Sequence, residues 1–275
     1  MGVLDGRSAI VTGSARGIGR ATAELLAAQG AEVLINDLDG DIAEQAAGEI
    51  SGNTAVFAGD LTKPGMPDQL VQKAIDSFGK LDIIVNNAGY TLDAPVHKMS
   101  DEHFQAMIDI HTVVPFRIIR AAAPHLREPA KKEREKGREV FRKIVNVSST
   151  SGTFGNAGQA NYSAGKAAVV GLTKTIAKEW GQFKVNVNAV AFGFIDTRLT
   201  QAKVDDNTME KEGETIQLGI PEQMRSLASA IIPLGRAATP EEAAGGVFFL
   251  CSPWSNYVHG QTLHITGGLF GGMSG

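Results

Sequence analysis

The chain has 275 residues, 43% of them hydrophobic and 20% charged, enough to bury one large core and typical of a globular protein. Its formal net charge is −4, from 26 basic and 30 acidic side chains, so no overall basic field points to nucleic acid. No apolar run reaches the ~18 residues of a membrane helix, no signal-peptide pattern is read at the N-terminus, and the single cysteine, Cys251, excludes an internal disulfide, so a cytoplasmic protein without membrane contact is expected.

Ser8 to Val11 is a short apolar run that leads into Thr12-Gly13-Ser14-Ala15-Arg16-Gly17-Ile18-Gly19, and a helical pattern follows through Ala21, Leu25 and Ala28 to a stop at Gly30. Strand, glycine turn and helix in that order make a dinucleotide site: without Cβ atoms the backbone can approach a pyrophosphate, whose charge meets the amides of the helix N-terminus. Gly13, Arg16, Gly17, Ile18 and Gly19 are therefore cofactor candidates. The next strand, Glu32 to Asn36, ends at Asp37, eighteen residues after Gly19. A carboxylate there accepts hydrogen bonds from the adenosine ribose and repels a 2′-phosphate, which favours NAD over NADP. Arg16 argues the other way, since a guanidinium in the turn can meet that phosphate.

A helix over 41–50, a strand over 54–58 and the pair Asp60-Leu61 come next. A helix over 67–78 and a strand over 81–85 then lead to Asn86-Asn87-Ala88-Gly89. This strict alternation predicts βαβ units and a parallel sheet. Gly13, Asp37, Asp60 and Asn87 then fall at strand C-termini, the edge where open α/β sheets bind ligands, so Asp60, Leu61, Asn87, Ala88 and Gly89 join the cofactor set.

Ser100 caps a helix whose Phe104, Met107, Ile108 and His111 share a face that is expected to turn inward. Pro115 has no N–H, so the carbonyl of His111 loses its helical partner and needs water or another donor. Between Lys131 and Lys143 stand seven basic and three acidic residues, the pattern of a solvated helix extension. The strand 144–147 then delivers Ser148-Ser149 to the ligand edge.

Tyr162 and Lys166 lie four apart on the following helix, which runs through Leu172 and Ile176 to Trp180. That spacing puts both side chains on one face, one turn apart. An ammonium beside a phenol favours the phenolate, and is expected to draw the hydroxyl below its usual pKa near ~10. Such a tyrosine is a general acid/base. A strand over 185–191 leads to Phe192-Gly193-Phe194-Ile195-Asp196-Thr197. Thr200 to Pro233 shows no strand pattern. Met224, Leu227, Ala228 and Ile231 recur there at helical spacing after Pro221, either as ordinary core or as a lid over an apolar substrate. A helix after Thr239-Pro240-Glu241-Glu242, a strand over 262–265 and a glycine-rich tail from Gly267 close the chain, with no repeat or linker. A single domain without a metal site is expected.

With Thr12 to Gly19, Asn86 to Gly89, Ser149, Tyr162 with Lys166, Gly193 to Thr197, and Pro233 to Arg236 through Gly267-Gly268 laid out, the chain resembles the short-chain dehydrogenase/reductase family, near its 3-oxoacyl-[acyl-carrier-protein]-reductase-like branch. The resemblance implies a Rossmann-type doubly wound α/β sheet of about seven parallel strands, a homotetramer, and hydride transfer between NAD(H), or alternatively NADP(H), and a small-molecule alcohol or ketone. It implies that Tyr162 is the acid/base, that Ser149 polarises the carbonyl and that Lys166 holds the nicotinamide ribose. Gly193, Ile195 and Thr197 match the segment that grips the carboxamide. Two departures stand out: His111 replaces a family asparagine, whose main-chain carbonyl holds a water leading to the lysine, and Phe192 replaces a proline. A place for His111 in the proton relay follows as a candidate role, and Phe192 predicts a larger apolar wall. A catalytically silent NAD-binding or assembly subunit is the competing class. A sugar-nucleotide epimerase or dehydratase would need a larger C-terminal domain than the residues after Thr200 provide.

Overall fold

The structure, a computed structural model, describes residues 2–201, 208–211, 214–220 and 222–269. Its elements alternate from the start: β1 (Ser8–Thr12), α1 (Gly17–Ala28), β2 (Glu32–Asp37), α2 (Gly40–Glu49), β3 (Thr54–Ala58), α3 (Met66–Phe78) and β4 (Ile83–Asn86). The second half adds α4 (Asp101–Ile108), α5 (Val114–Glu135), β5 (Arg142–Ser149), α6 (Thr150–Phe154), α7 (Ala160–Trp180) and β6 (Val185–Phe192). After these come a hairpin of β7 (Thr208–Lys211) and β8 (Glu214–Gln217), then α8 (Glu222–Ile231), α9 (Pro240–Cys251) and β9 (Thr262–Ile265).

Seven strands form one parallel sheet in the order β3-β2-β1-β4-β5-β6-β9. This is the doubly wound Rossmann-type architecture expected. Strand residues alternate between two apolar layers: Ala9, Val11, Val33 and Ile35 pack with α1, α2 and α9, whereas Ile10, Leu34 and Ile84 pack with α3, α5 and α7. Burial on both faces explains why these strands read as unbroken apolar runs.

Three expectations are corrected. The segment 200–233 does contain strands: β7 and β8 pair antiparallel outside the main sheet. Each is short and mostly polar, with no apolar run to mark it. Pro221 and the side chains of Met224 and Ala228 lie outside the described residues, as do residues 270–275 of the tail. On α8 Leu227 and Ile231 are exposed, so that face is not core. Phe104 also turns outward, at 40% exposure, while Met107 and His111 point inward; the inward stripe is narrower than the spacing implied. Finally, the charged stretch is not solvated to its end. Arg142 and Lys143 are buried in the first turn of strand pairing on β5, where Arg142 donates to both Glu133 oxygens at 2.8 and 2.9 Å, and Lys143 Nζ donates to Asn186 Oδ1, Ser255 Oγ and Asn256 Oδ1. Glu133 pairs with Arg142 from within the same stretch, whereas the partners of Lys143 come from far along the chain, which composition alone cannot show.

Between α4 and α5, residues Asp109–Val113 take π-helical geometry, with Val114 N–H donating to the Asp109 carbonyl five residues back. Pro115 sits in the first turn of α5. The wide turn lets one helical rod continue through a proline instead of breaking.

Candidate active site

The C-terminal edge of the sheet carries two adjoining depressions. One, of about 260 Å³, is lined by Gly13, Arg16, Gly17, Ile18 and Gly19, by Asp37, Asp60 and Leu61, and by Asn87, Ala88, Gly89 and Thr197. The other, of about 370 Å³, is lined by His111, Ser149, Tyr162 and Lys166 together with Gly193, Ile195 and Thr197. Every cofactor and catalytic candidate named from the sequence lines one or both. Ile18, Asn87, Gly89 and Thr197 line both and mark where they meet.

The first depression is built by the turn after β1. Thr12 Oγ1 accepts from the amides of Asn87 and Ala88 at 2.9 Å each, and Asn87 Nδ2 returns bonds to the carbonyls of Thr12 and Gly13. A Cβ on Gly19 would stand 2.1 Å from the Gly13 carbonyl oxygen and 2.5 Å from Asn87 Nδ2, so only glycine lets the turn close onto the helix. No side chain caps α1 and no acid occupies its first turn, which leaves the amide end of that helix open to an anion. At the end of β2, Asp37 accepts from Ala15 N–H at 3.1 Å through Oδ2 and from Leu38 N–H at 2.8 Å through Oδ1. The groove, its glycines and its uncapped helix fit a nicotinamide dinucleotide.

In the second depression Ser149 comes from the end of β5, and Tyr162 and Lys166 from successive turns of α7. Lys166 is buried; its Nζ donates to the Val147 carbonyl at 2.7 Å and stands 5.6 Å from the Tyr162 ring centroid. Burial lowers its pKa to about 7. Burial likewise pushes the Tyr162 hydroxyl up to about 12; hydrogen bonding with Ser149 opposes this, and the charge of Asp93 adds to it. The expected fall in the tyrosine pKa is thus absent from the free protein. The lysine is itself desolvated and spends its ammonium on a carbonyl, so the spacing alone does not activate the phenol.

His111 packs edge-on against Tyr162, with ring centroids 5.0 Å apart, and its Nε2 meets the Tyr90 carbonyl at 2.9 Å. Its Nδ1 is buried with no partner. Burial and the nearby Lys166 charge hold its pKa well below the usual imidazole range, against the opposing pull of the Tyr90 carbonyl. The neutral ring therefore donates from Nε2. Gly89 makes room for it: a Cβ there would lie 2.3 Å from His111 Cε1.

The sequence reading missed several residues of this edge. Asn161 Nδ2 donates to the carbonyls of Leu92 and His103, fixing the loop over the cavity relative to α4. Gln159 bridges Asp93, Ser151 and Asn156 at the cavity mouth. Arg198 lines the first depression. Asn161, adjacent to Tyr162, was open to suspicion; nothing local marks Asp93 or Arg198.

Residues 13–270 match the family model described as enoyl-(acyl carrier protein) reductase. The chain belongs to the short-chain dehydrogenase/reductase family. It is 38% identical to the 3-oxoacyl-[acyl-carrier-protein] reductase FabG of Vibrio cholerae, over 97% of this chain and 98% of that one. It is 37% identical to the protein of the same name from Thermotoga maritima, again over 97% and 98%. A similarity of 37%, over 98% of each chain, also joins it to an uncharacterized oxidoreductase of Mycobacterium tuberculosis. As a member of this family the protein is an oxidoreductase of carbonyl and CH–OH groups that uses a nicotinamide cofactor. Among the described residues no helix is long and apolar enough to cross a membrane.

Proposed function

We propose that the protein reduces a 3-oxoacyl or other apolar ketone to the alcohol with NADH, with Tyr162 as proton donor. The observation that carries this reading is the convergence of Ser149, Tyr162 and Lys166 on one cavity that adjoins the glycine-turn groove. A nicotinamide held in the adjoining groove would supply the hydride for the carbonyl carbon. Tyr162 gives its hydroxyl proton to the carbonyl oxygen; at a pKa of about 12 the phenol is protonated throughout the neutral range and is a donor, not a base. Ser149, at the head of α6 and hydrogen-bonded with Tyr162, orients and polarises the same oxygen. Lys166, one turn beyond Tyr162, would hold the nicotinamide ribose.

The cofactor preference rests on Asp37. Its carboxylate lies in the groove and would oppose a 2′-phosphate. Phe192, Phe194, Ile195, Leu199 and Ile220 contribute an apolar wall to the substrate cavity, facing a polar mouth of Asp93, Asn156 and Gln159. This division suits a carbonyl compound with an apolar tail. Within 200–233 the described residues 218–220 are assigned to a lid: Leu218 lines the cofactor groove, and Gly219 and Ile220 line the substrate cavity. Phe104 on α4 and Phe116 on α5 are exposed, and we assign such apolar side chains to contacts between copies in a homotetramer.

The test is a panel of 3-oxoacyl thioesters and simple ketones, followed by NADH absorbance in the wild type and in Tyr162→Phe. Turnover should fall about 100-fold or more in the variant, the usual share of a positioned acid, with NADH affinity unchanged. Retention of more than about a tenth of the wild-type kcat would remove Tyr162 from the chemistry.

A further inference from the structure

Helix α7 begins at Ala160, so the amide of Tyr162 belongs to its first turn, where the carbonyl four residues back lies outside the helix. That carbonyl, of Gly158, accepts Ala94 N–H at 2.8 Å. Gln159, at the cap position, commits its side chain to Asp93, Ser151 and Asn156 instead of to the helix amides. Asn161 supplies what the turn lacks: its Oδ1 accepts Tyr162 N–H at 2.7 Å. Its Nδ2 donates to the carbonyls of Leu92 at 2.9 Å and of His103 at 3.1 Å. The side chain has 0% exposure, and its three bonds join the start of α7, the chain after β4, and α4.

Three consecutive residues after β4 are thereby fastened to the start of α7: Leu92 by Asn161, Asp93 by Gln159 Nε2 at 2.8 Å, and Ala94 by the Gly158 carbonyl. Thr91, Asp93 and Tyr162 line the substrate cavity, whereas Asn161 lines neither depression. It therefore bears on the site through the residues that it holds. Without its side chain, two carbonyls and the Tyr162 amide lose this partner, and the first turn of α7 is released from the chain after β4. Proton transfer needs the donor within about 2.6–3.2 Å of the carbonyl oxygen, and a misplacement of about 1 Å can cost about 100-fold.

We propose that Asn161 is a positioning residue for Tyr162, setting the phenol in the substrate cavity by tying the first turn of α7 to the chain after β4. The proposal rests on the reading of Tyr162 as the proton donor. Its effect falls on the chemical step and not on the dinucleotide, whose groove is built by the turn after β1 and the end of β2.

The experiment follows reduction of 3-oxoacyl thioesters and simple ketones by NADH and by NADPH in wild type, Asn161→Ala, Asn161→Ser and Tyr162→Phe, with circular dichroism giving the folded fraction. Per folded molecule, kcat should fall about 10- to 100-fold in Asn161→Ala, while the dissociation constant of the dinucleotide stays within about twofold of wild type. Serine has one donor where asparagine has two, so Asn161→Ser should lie between, and it carries the same test if the alanine variant does not fold. In a Tyr162→Phe background Asn161→Ala should cause no further loss of turnover, because the residue that it positions no longer donates a proton. Unchanged kcat per folded molecule, or full additivity with Tyr162→Phe, overturns the proposal and leaves Asn161 as a brace of the fold. A wild type that reduces none of the compounds, or a Tyr162→Phe variant that keeps its turnover, overturns the reading of the site, and the proposal with it.

Discussion

Gly89 is where the cofactor groove, the substrate cavity and His111 meet, and replacing it with alanine should be costly. The added Cβ would stand 2.3 Å from His111 Cε1 and 2.8 Å from Nδ1, where ordinary contacts run at 3.4–4 Å. The imidazole therefore has to move by about 1 Å, and it has little freedom: Nε2 is bonded to the Tyr90 carbonyl, and the ring edge rests on Tyr162. Overpacking of this kind costs about 1–3 kcal/mol. Losing the buried Nε2–carbonyl bond adds about 1–3 kcal/mol. Urea denaturation of Gly89→Ala should accordingly show a loss of about 2–6 kcal/mol. The clash has one partner, so Gly89→Ala should be much less harmful in a His111→Ala background, with a coupling of at least about 1 kcal/mol. A Gly89→Ala protein within about 0.5 kcal/mol of wild type, or strict additivity of the two changes, would refute the claim that glycine is required to admit this ring.

Two further substitutions test the electrostatics of the site. Wild type should show a lower KM for NAD than for NADP, and Asp37→Ala should narrow the gap by removing the carboxylate that opposes a 2′-phosphate; a wild-type preference for NADPH would show that the guanidinium groups prevail. His111→Asn should keep most of the activity, because a neutral ring whose Nε2–H is committed to the Tyr90 carbonyl is poorly placed to relay a proton. The sign of its effect on stability is also fixed. The folded pKa is depressed from 6.5, so below that pH the unfolded chain binds a proton that the folded one refuses, and stability falls with acid. Wild type should therefore lose stability more steeply than His111→Asn as pH drops below 6.5. Parallel curves, or a steep fall in kcat with a displaced pH profile, would restore the imidazole to the relay.

The sheet was legible because its strands are buried on both faces: Ile10, Leu34 and Ile84 serve one layer while Val11, Ile35 and Val85 serve the other. The site was legible for a related reason. A parallel sheet presents its ligand edge at strand C-termini, so Gly13, Asp37, Asn87 and Ser149 could be placed before any coordinates. What escaped depends on partners remote in the chain. The burial of Lys143 needs Asn186, Ser255 and Asn256. Arg198 reaches the groove because the turn after β6 folds across it, and no local pattern encodes that crossing. The hairpin was missed because Thr208–Lys211 and Glu214–Gln217 are mostly polar and carry no apolar run.

The largest gap between spacing and structure concerns Tyr162 and Lys166. Four residues of separation do place them one turn apart, but proximity lowers a phenol's pKa only if the ammonium is charged and directed at the oxygen. Here burial lowers the lysine to about 7, and its Nζ donates to the Val147 carbonyl. The same burial holds the proton on the phenol, and Asp93 reinforces it. His111 adds no countercharge, since burial and Lys166 keep its ring neutral. Desolvation therefore wins over the pairwise term throughout this cluster. On the proposed assignment that outcome suits reduction, in which the free protein offers a neutral phenol to the carbonyl oxygen. For the reverse reaction, a positive charge must come near the phenol oxygen before Tyr162 can act as a base.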